Sequence, residues 1–220
     1  MTVTPQKPKR KSSKEKLSRD KEVSMAKLTD AGEALFATHG FSGTTLDMIV
    51  ERSGLNRAMV YYYYKSKTGL YEAVVEKLVG EVLDYVSEQS DEGDDLEGAF
   101  RSYVQALCFS FCNRATFPAI LMRDYMGGKN QERAGPFGQI IQFFRRTEAL
   151  YNRGKGDGIF VEMDPHQLHL SLVGPLVFFA LTQKFRANTE GKFAKDLSNP
   201  NAVSFADHHA TILWKGLTVN

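Results

Sequence analysis

Residues 45–67 read TLDMIVERSGLNRAMVYYYYKSK. Leu46, Ile49 and Val50 make a short amphipathic run that stops at Ser53-Gly54, and a second helical segment opens at Asn56. A hydroxyl from Thr44 or Thr45 is placed to cap the first segment, accepting a backbone N–H that the helix leaves without a partner. Gly54 suits the turn between the segments, because a left-handed backbone costs glycine little. Lys67 opens the next helix. Two helices of about eight residues, joined by a glycine turn, form the unit that lays its second helix in a major groove.

The four consecutive tyrosines, Tyr61 to Tyr64, sharpen this reading. Successive helical side chains point about 100° apart, so all four cannot face a core. Val60 and Tyr64, four residues apart, take the inward face. Tyr61 and Tyr62 point outward, where a phenol reaches a phosphate oxygen without reading sequence. Taken alone, the run favours an aromatic core face with solvated hydroxyls.

Context favours the DNA reading. Leu28, Ala31, Leu35, Phe36 and Gly40, followed by Thr44-Thr45, Ile49, Gly54, Tyr61, Ser66, Lys67 and Leu70, run without a gap in one register. On these residues the segment 22–82 resembles the N-terminal domain of TetR-family transcriptional regulators. Two departures stand out: Ala58-Met59 replaces the family's common Gly-Thr, and Tyr64 replaces a usual phenylalanine. Met59 cannot donate the hydroxyl hydrogen bond that a threonine could. Within this frame Asn56, Arg57 and Met59 are expected at base edges. Thr44, Thr45, Tyr61, Tyr62 and Lys67 are expected on phosphates.

Charge distribution agrees. The chain has 220 residues and a net charge of only +2, but residues 1–67 hold 13 Lys/Arg against 7 Asp/Glu. A basic N-terminal third is the electrostatic footprint of a nucleic-acid-binding headpiece. The apolar fraction of 42% supports a substantial core beside it. The basic N-terminus has no apolar segment behind it, so no signal peptide is expected. The uncharged run Pro165–Gln183 contains His166, Gln167, His169, Ser171 and Gly174, which reads as too polar for a spanning helix. A cytoplasmic protein with both cysteines reduced is expected.

Residues 1–21 are polar and basic, with Lys7, Lys9, Arg10, Lys11, Lys14 and Lys16, and read as a disordered arm. Domain boundaries are expected at 22–82 for the DNA-binding headpiece and 83–220 for a larger effector-binding and dimerisation domain. Period-3.6 patterns predict helices over 67–87, 96–113, 117–126, 136–153, 165–187 and 203–217, with Gly127-Gly128 ending the third of these. A short extended segment is expected at Ile159-Phe160-Val161. Pro175 falls inside the 165–187 helix. The fold class is therefore all-α, with a three-helix headpiece and about nine helices in total.

The second domain shows no catalytic set, so an enzyme fused to a headpiece is the weaker alternative, and no cofactor is expected. Cys108 and Cys112 read as structural thiols. His166, His169, His208 and His209 would need two helices to converge before they could hold zinc, and solvated or interface histidines are the simpler reading. The interior is rich in aromatic and methionine residues, Phe111, Phe137 and Phe143 among them. Tyr103, Phe109, Phe117, Met122, Met126, Phe144 and Phe178 are expected to wall a cavity, with Arg123 as polar anchor. The resemblance implies such a cavity for a small hydrophobic or amphipathic effector, lined by the helices over 96–153. It also implies a homodimer built on the last two helices, through Leu172, Leu176, Phe179, Leu213 and Leu217. Its partner would be double-stranded DNA with a palindromic operator, and the expected function is a repressor released by the effector. An activator or partner-responsive regulator is the alternative.

Overall fold

Helix α1 (Ser13–Gly43) carries Leu28, Ala31, Leu35 and Phe36 into a core closed by α2 (Leu46–Ser53), α3 (Arg57–Tyr64) and the start of α4 (Lys67–Gln89). The computed structural model describes residues 13–90, 93, 95–126, 134–189 and 200–219, with side chains from residue 18 onward and not those of 134–137 and 139. The lysines and arginine before Ser13, Gly127-Gly128 and the side chain of Phe137 lie outside the described residues. The remaining elements are α5 (Leu96–Asn113), α6 (Thr116–Met126), α7 (Ala134–Gly156), α8 (Pro165–Thr189) and α9 (Ala202–Leu217), nine helices among the described residues. The chain divides into two compact units between Val74 and Val75, inside α4.

The start of α1 corrects the expectation of disorder through residue 21. Residues 13–21 continue the helix, and Ser18 donates to Glu22 at 3.1 Å, one turn on. Lysine and glutamate are good helix formers, and here they extend a helix already anchored by its buried half.

In the first unit Phe36 meets Tyr71 edge-on with ring centroids 5.0 Å apart, and Phe41 meets the same ring at 5.3 Å. Val60 and Tyr64 face inward as their spacing requires, and the Tyr64 phenol donates to the Met25 carbonyl at 3.2 Å. Gly69 permits the tight α3–α4 junction, because a Cβ there would stand 2.1 Å from the Tyr64 carbonyl oxygen.

In the second unit α5 is the central helix, buried from Leu96 to Phe111 along one side and packed by α7, α8 and α9. Phe100, Phe160 and Trp214 form an aromatic cluster with centroid separations of 5.3 to 6.4 Å. The short extended segment does form. Phe160 bridges Thr218 antiparallel, Val161 N–H donates to the Leu217 carbonyl at 2.7 Å, and Val219 N–H to that of Ile159 at 2.9 Å. This ties the chain's last residues to the α7–α8 loop.

Helix α8 departs from its sequence reading. Over Pro165–Asn188 it is long and apolar enough to cross a membrane by length and composition alone. Its apolar residues fall on two faces. Leu168, Leu172, Leu176 and Phe179 are buried within the unit, whereas Leu170, Phe178, Leu181 and Phe185 are exposed. Four of the five residues expected at a dimer interface, Leu172, Leu176, Phe179 and Leu217, are therefore core of their own protomer, and Leu213 is half-buried. A side chain spent on its own core cannot also pack against a second copy.

Candidate nucleic-acid interface and effector cavity

The helix-turn-helix is capped at each junction. Thr45 accepts the Met48 N–H at 3.2 Å and is the cap of α2. Gly54, at φ 67°, ends α2 with its N–H on the Val50 carbonyl. Asn56 Oδ1 accepts the Met59 N–H at 3.0 Å and caps α3. From α3 the exposed side chains are Arg57, Ala58, Tyr61 and Tyr62, opposite the buried Val60 and Tyr64. Tyr62 is 69% exposed and Tyr61 48%. Met59 is half-buried and borders a depression with Ser24, Tyr62 and Tyr63. Arg57 forms an ion pair with Asp47 of α2 across the turn, and this hydrogen bond holds the guanidinium above its ordinary pKa.

Three expected DNA contacts are corrected. Thr44 is fully buried and its hydroxyl donates to the Gly40 carbonyl at 2.8 Å, so it cannot reach a phosphate. Lys67 donates to the carbonyls of Phe41 and Thr44, each at 2.9 Å, with its ammonium 4.1 Å from the centre of the Phe41 ring. It is a tie between α4 and the α1–α2 turn. Asn56 has its oxygen committed to the cap, which removes the bidentate amide contact that reads adenine. Lys65, exposed at the end of α3 with a φ of 66°, donates its ammonium to the Tyr62 carbonyl at 3.2 Å.

The second unit holds a cavity of about 530 Å³ between α5, α6, α7 and α8. Of the residues expected to wall it, Phe117, Met122 and Phe178 do, joined by Phe111, Phe143 and Val177 among others. The remaining five do not. Met126 is 86% exposed and Arg123 is exposed as well, and neither lines the cavity. Tyr103 is buried elsewhere, donating to the Phe143 carbonyl at 3.0 Å, and burial pushes its phenol up to about 12. Phe109 is half-buried outside the cavity. Phe144 stacks on His166 with centroids 4.2 Å apart. Helix α6 turns its apolar side inward, which leaves its one arginine off the wall. His169, not expected on the wall, borders the cavity, and desolvation with His166 nearby lowers its pKa.

His209 and Cys108 are occupied structurally. His209 Nε2 bonds the Leu172 carbonyl at 3.0 Å. Cys108 is held protonated by its hydrogen bond with Cys112 and by burial. Among the described residues no three of His, Cys, Asp and Glu gather as a metal site.

Capped helices about a glycine turn, with an aromatic second helix exposing Arg57 and two phenols, define a helix-turn-helix protein. Residues 28–74 match the family described as bacterial regulatory proteins, tetR family. A helix-turn-helix transcriptional repressor of Streptomyces coelicolor is 35% identical over 81 residues, 37% of this chain and 41% of that protein. The negative transcriptional regulator of the biofilm operon of Staphylococcus epidermidis is 29% identical over 75 residues, 34% of this chain and 40% of the relative. The chain thus spans about two fifths of the length of these curated relatives. A tetR-family regulatory protein from Rhodococcus shares the fold over 90% of this chain and 98% of its own, at a TM-score of 0.72 and 14% identity. Residues 28–74 are thus a TetR-family helix-turn-helix domain, and the chain has the all-α fold of TetR-family regulators.

Proposed function

We propose that the protein is a cytoplasmic homodimeric repressor that binds a palindromic operator and is released by a small hydrophobic effector. The observation that carries the DNA part is the exposed face of α3. It presents Arg57, Tyr61 and Tyr62 while Val60 and Tyr64 hold the helix on its own core. Arg57 contacts a base edge; Tyr61, Tyr62 and the Thr45 hydroxyl contact phosphates. The exposed apolar row on α8, with Ile212 of α9, supports a dimer through these two helices, and two headpieces on a two-fold axis require a two-fold operator. The apolar cavity supports an effector that favours the conformation unable to bind DNA.

Selection of operator sequence from a random duplex pool, followed by fluorescence anisotropy with wild type and Arg57→Ala, tests the reading. The selected sequence should be palindromic, and Arg57→Ala should lose about 1–3 kcal/mol on it. Enrichment of no sequence, or of a non-symmetric one, would sink the proposal.

A further inference from the structure

His169 is the one imidazole on the cavity wall, and no Asp, Glu, Lys or Arg borders the cavity among the described residues. Its Nδ1 lies 3.0 Å from the Thr147 hydroxyl oxygen. Thr147 is 1% exposed, and its hydroxyl donates to the Phe143 carbonyl one turn back at 3.1 Å. A threonine hydroxyl has a single proton. With that proton on Phe143, Thr147 offers His169 a lone pair, so Nδ1 carries the imidazole proton and donates it. The Tyr103 phenol, 3.3 Å from the same hydroxyl and also bonded to the Phe143 carbonyl, completes a buried knot behind the ring. Phe144 meets the imidazole edge-on, with centroids 5.7 Å apart and planes at 85°. These contacts set the ring's orientation, and with the Thr147 proton on Phe143 the acceptor nitrogen is Nε2, on the ring edge away from Thr147. Burial keeps the ring neutral near pH 7.

Resting on the reading of this cavity as the effector site, we propose that the effector is an uncharged molecule with an apolar body and a hydroxyl group that donates to His169 Nε2. Each alternative meets a specific mismatch. A carboxylate or phosphate would be desolvated against a wall that offers no cation among the described residues. A ketone or ester brings only acceptors to an acceptor. A pure hydrocarbon leaves Nε2 stripped of water without a partner. The other polar side chain on the wall, Tyr125, sits at the rim and is 55% exposed.

The test uses the full chain and the neutral fluorophore N-phenyl-1-naphthylamine, displaced in turn by 1-decanol, 2-decanone and decanoate at pH 7.5. In wild type, 1-decanol should displace the dye at lower concentration than the other two. His169→Leu should still bind the dye but lose about three- to tenfold in 1-decanol affinity, the worth of one neutral hydrogen bond. Its 2-decanone affinity should stay within about twofold. Partitioning from water enters both proteins equally, so the wild-type to variant ratio isolates the hydrogen bond. Decanoate or 2-decanone matching 1-decanol in wild type overturns the hydroxyl assignment, whether or not the variant folds. A loss for both neutral compounds alike overturns His169 as the discriminating group. Failure of wild type to take up the dye overturns the cavity reading itself, a result distinct from either.

Discussion

Arg57 at the start of α3 is ion-paired with Asp47 in the first turn of α2, so the residue proposed to read a base is held by a carboxylate one helix away. Both side chains are well exposed, so the pair adds little to stability. Its consequence is for binding. A guanidinium held by Asp47 is aimed, and it is also withheld from neighbouring phosphates.

Asp47→Asn should therefore raise affinity for random duplex while narrowing the ratio between operator and random sequence. Releasing one cation to a phosphate should steepen the plot of log affinity against log salt by about one unit per headpiece. Anisotropy titrations between 50 and 200 mM salt, on both duplexes, provide the measurement. An unchanged ratio would mean that the pair does not govern Arg57 on DNA.

Lys67 gives the opposite separation. Two of its donors and its ring contact are directed into the headpiece, so Lys67→Met should cost stability, on the order of 2 kcal/mol, for charge-assisted bonds to two carbonyls. The salt dependence of DNA binding should stay as it is. A urea melt and the same salt series check both halves. A flatter salt plot with unchanged stability would return Lys67 to the phosphate contacts.

The headpiece was legible because its determinants are local. Thr45, Gly54 and Asn56 act on backbone within three or four residues, and the Val60–Tyr64 face follows from helical period alone. What was misassigned is set by distant partners. Nothing near Lys67 announces that its ammonium finds a carbonyl 23 residues upstream, nor does the sequence pair His169 with a threonine 22 residues away. Helix α8 failed for a different reason. With apolar side chains on both faces, its period does not say which row is core.

One buried and one half-buried histidine, His209 and His169, predict a pH response. Burial lowers the folded-state pKa of His209 and of His169, the first despite its bond to the Leu172 carbonyl, the second with help from His166. Below the unfolded value of about 6.5 the unfolded chain binds more protons than the folded one, so stability falls as pH falls. Stability should thus be fully present above about pH 7 and decline from there toward pH 5. The decline should be shallower in His169→Leu. Urea midpoints across this range measure it; an equal slope in the variant would remove His169 from the response.

The two faces of α8 separate folding from assembly. Phe179 is 5% exposed and lies flat on Phe205, with centroids 4.0 Å apart and planes at 5°, while Arg186 stands 3.8 Å above its ring. Phe179→Ala removes a packed ring from the protomer's core and should cost about 3–5 kcal/mol. Phe185 and Ile212 are 68% and 55% exposed, and both belong to the helices proposed to meet a second copy. Glutamate at these two positions meets water in a monomer, but in a symmetric interface it would bury four charges without partners. Phe185→Glu with Ile212→Glu should leave the urea midpoint of an isolated protomer near that of wild type and yield monomers by sedimentation. Operator affinity should fall, because each headpiece then binds its half-site alone. A double variant that sediments as a dimer with wild-type operator affinity would place the interface on another surface.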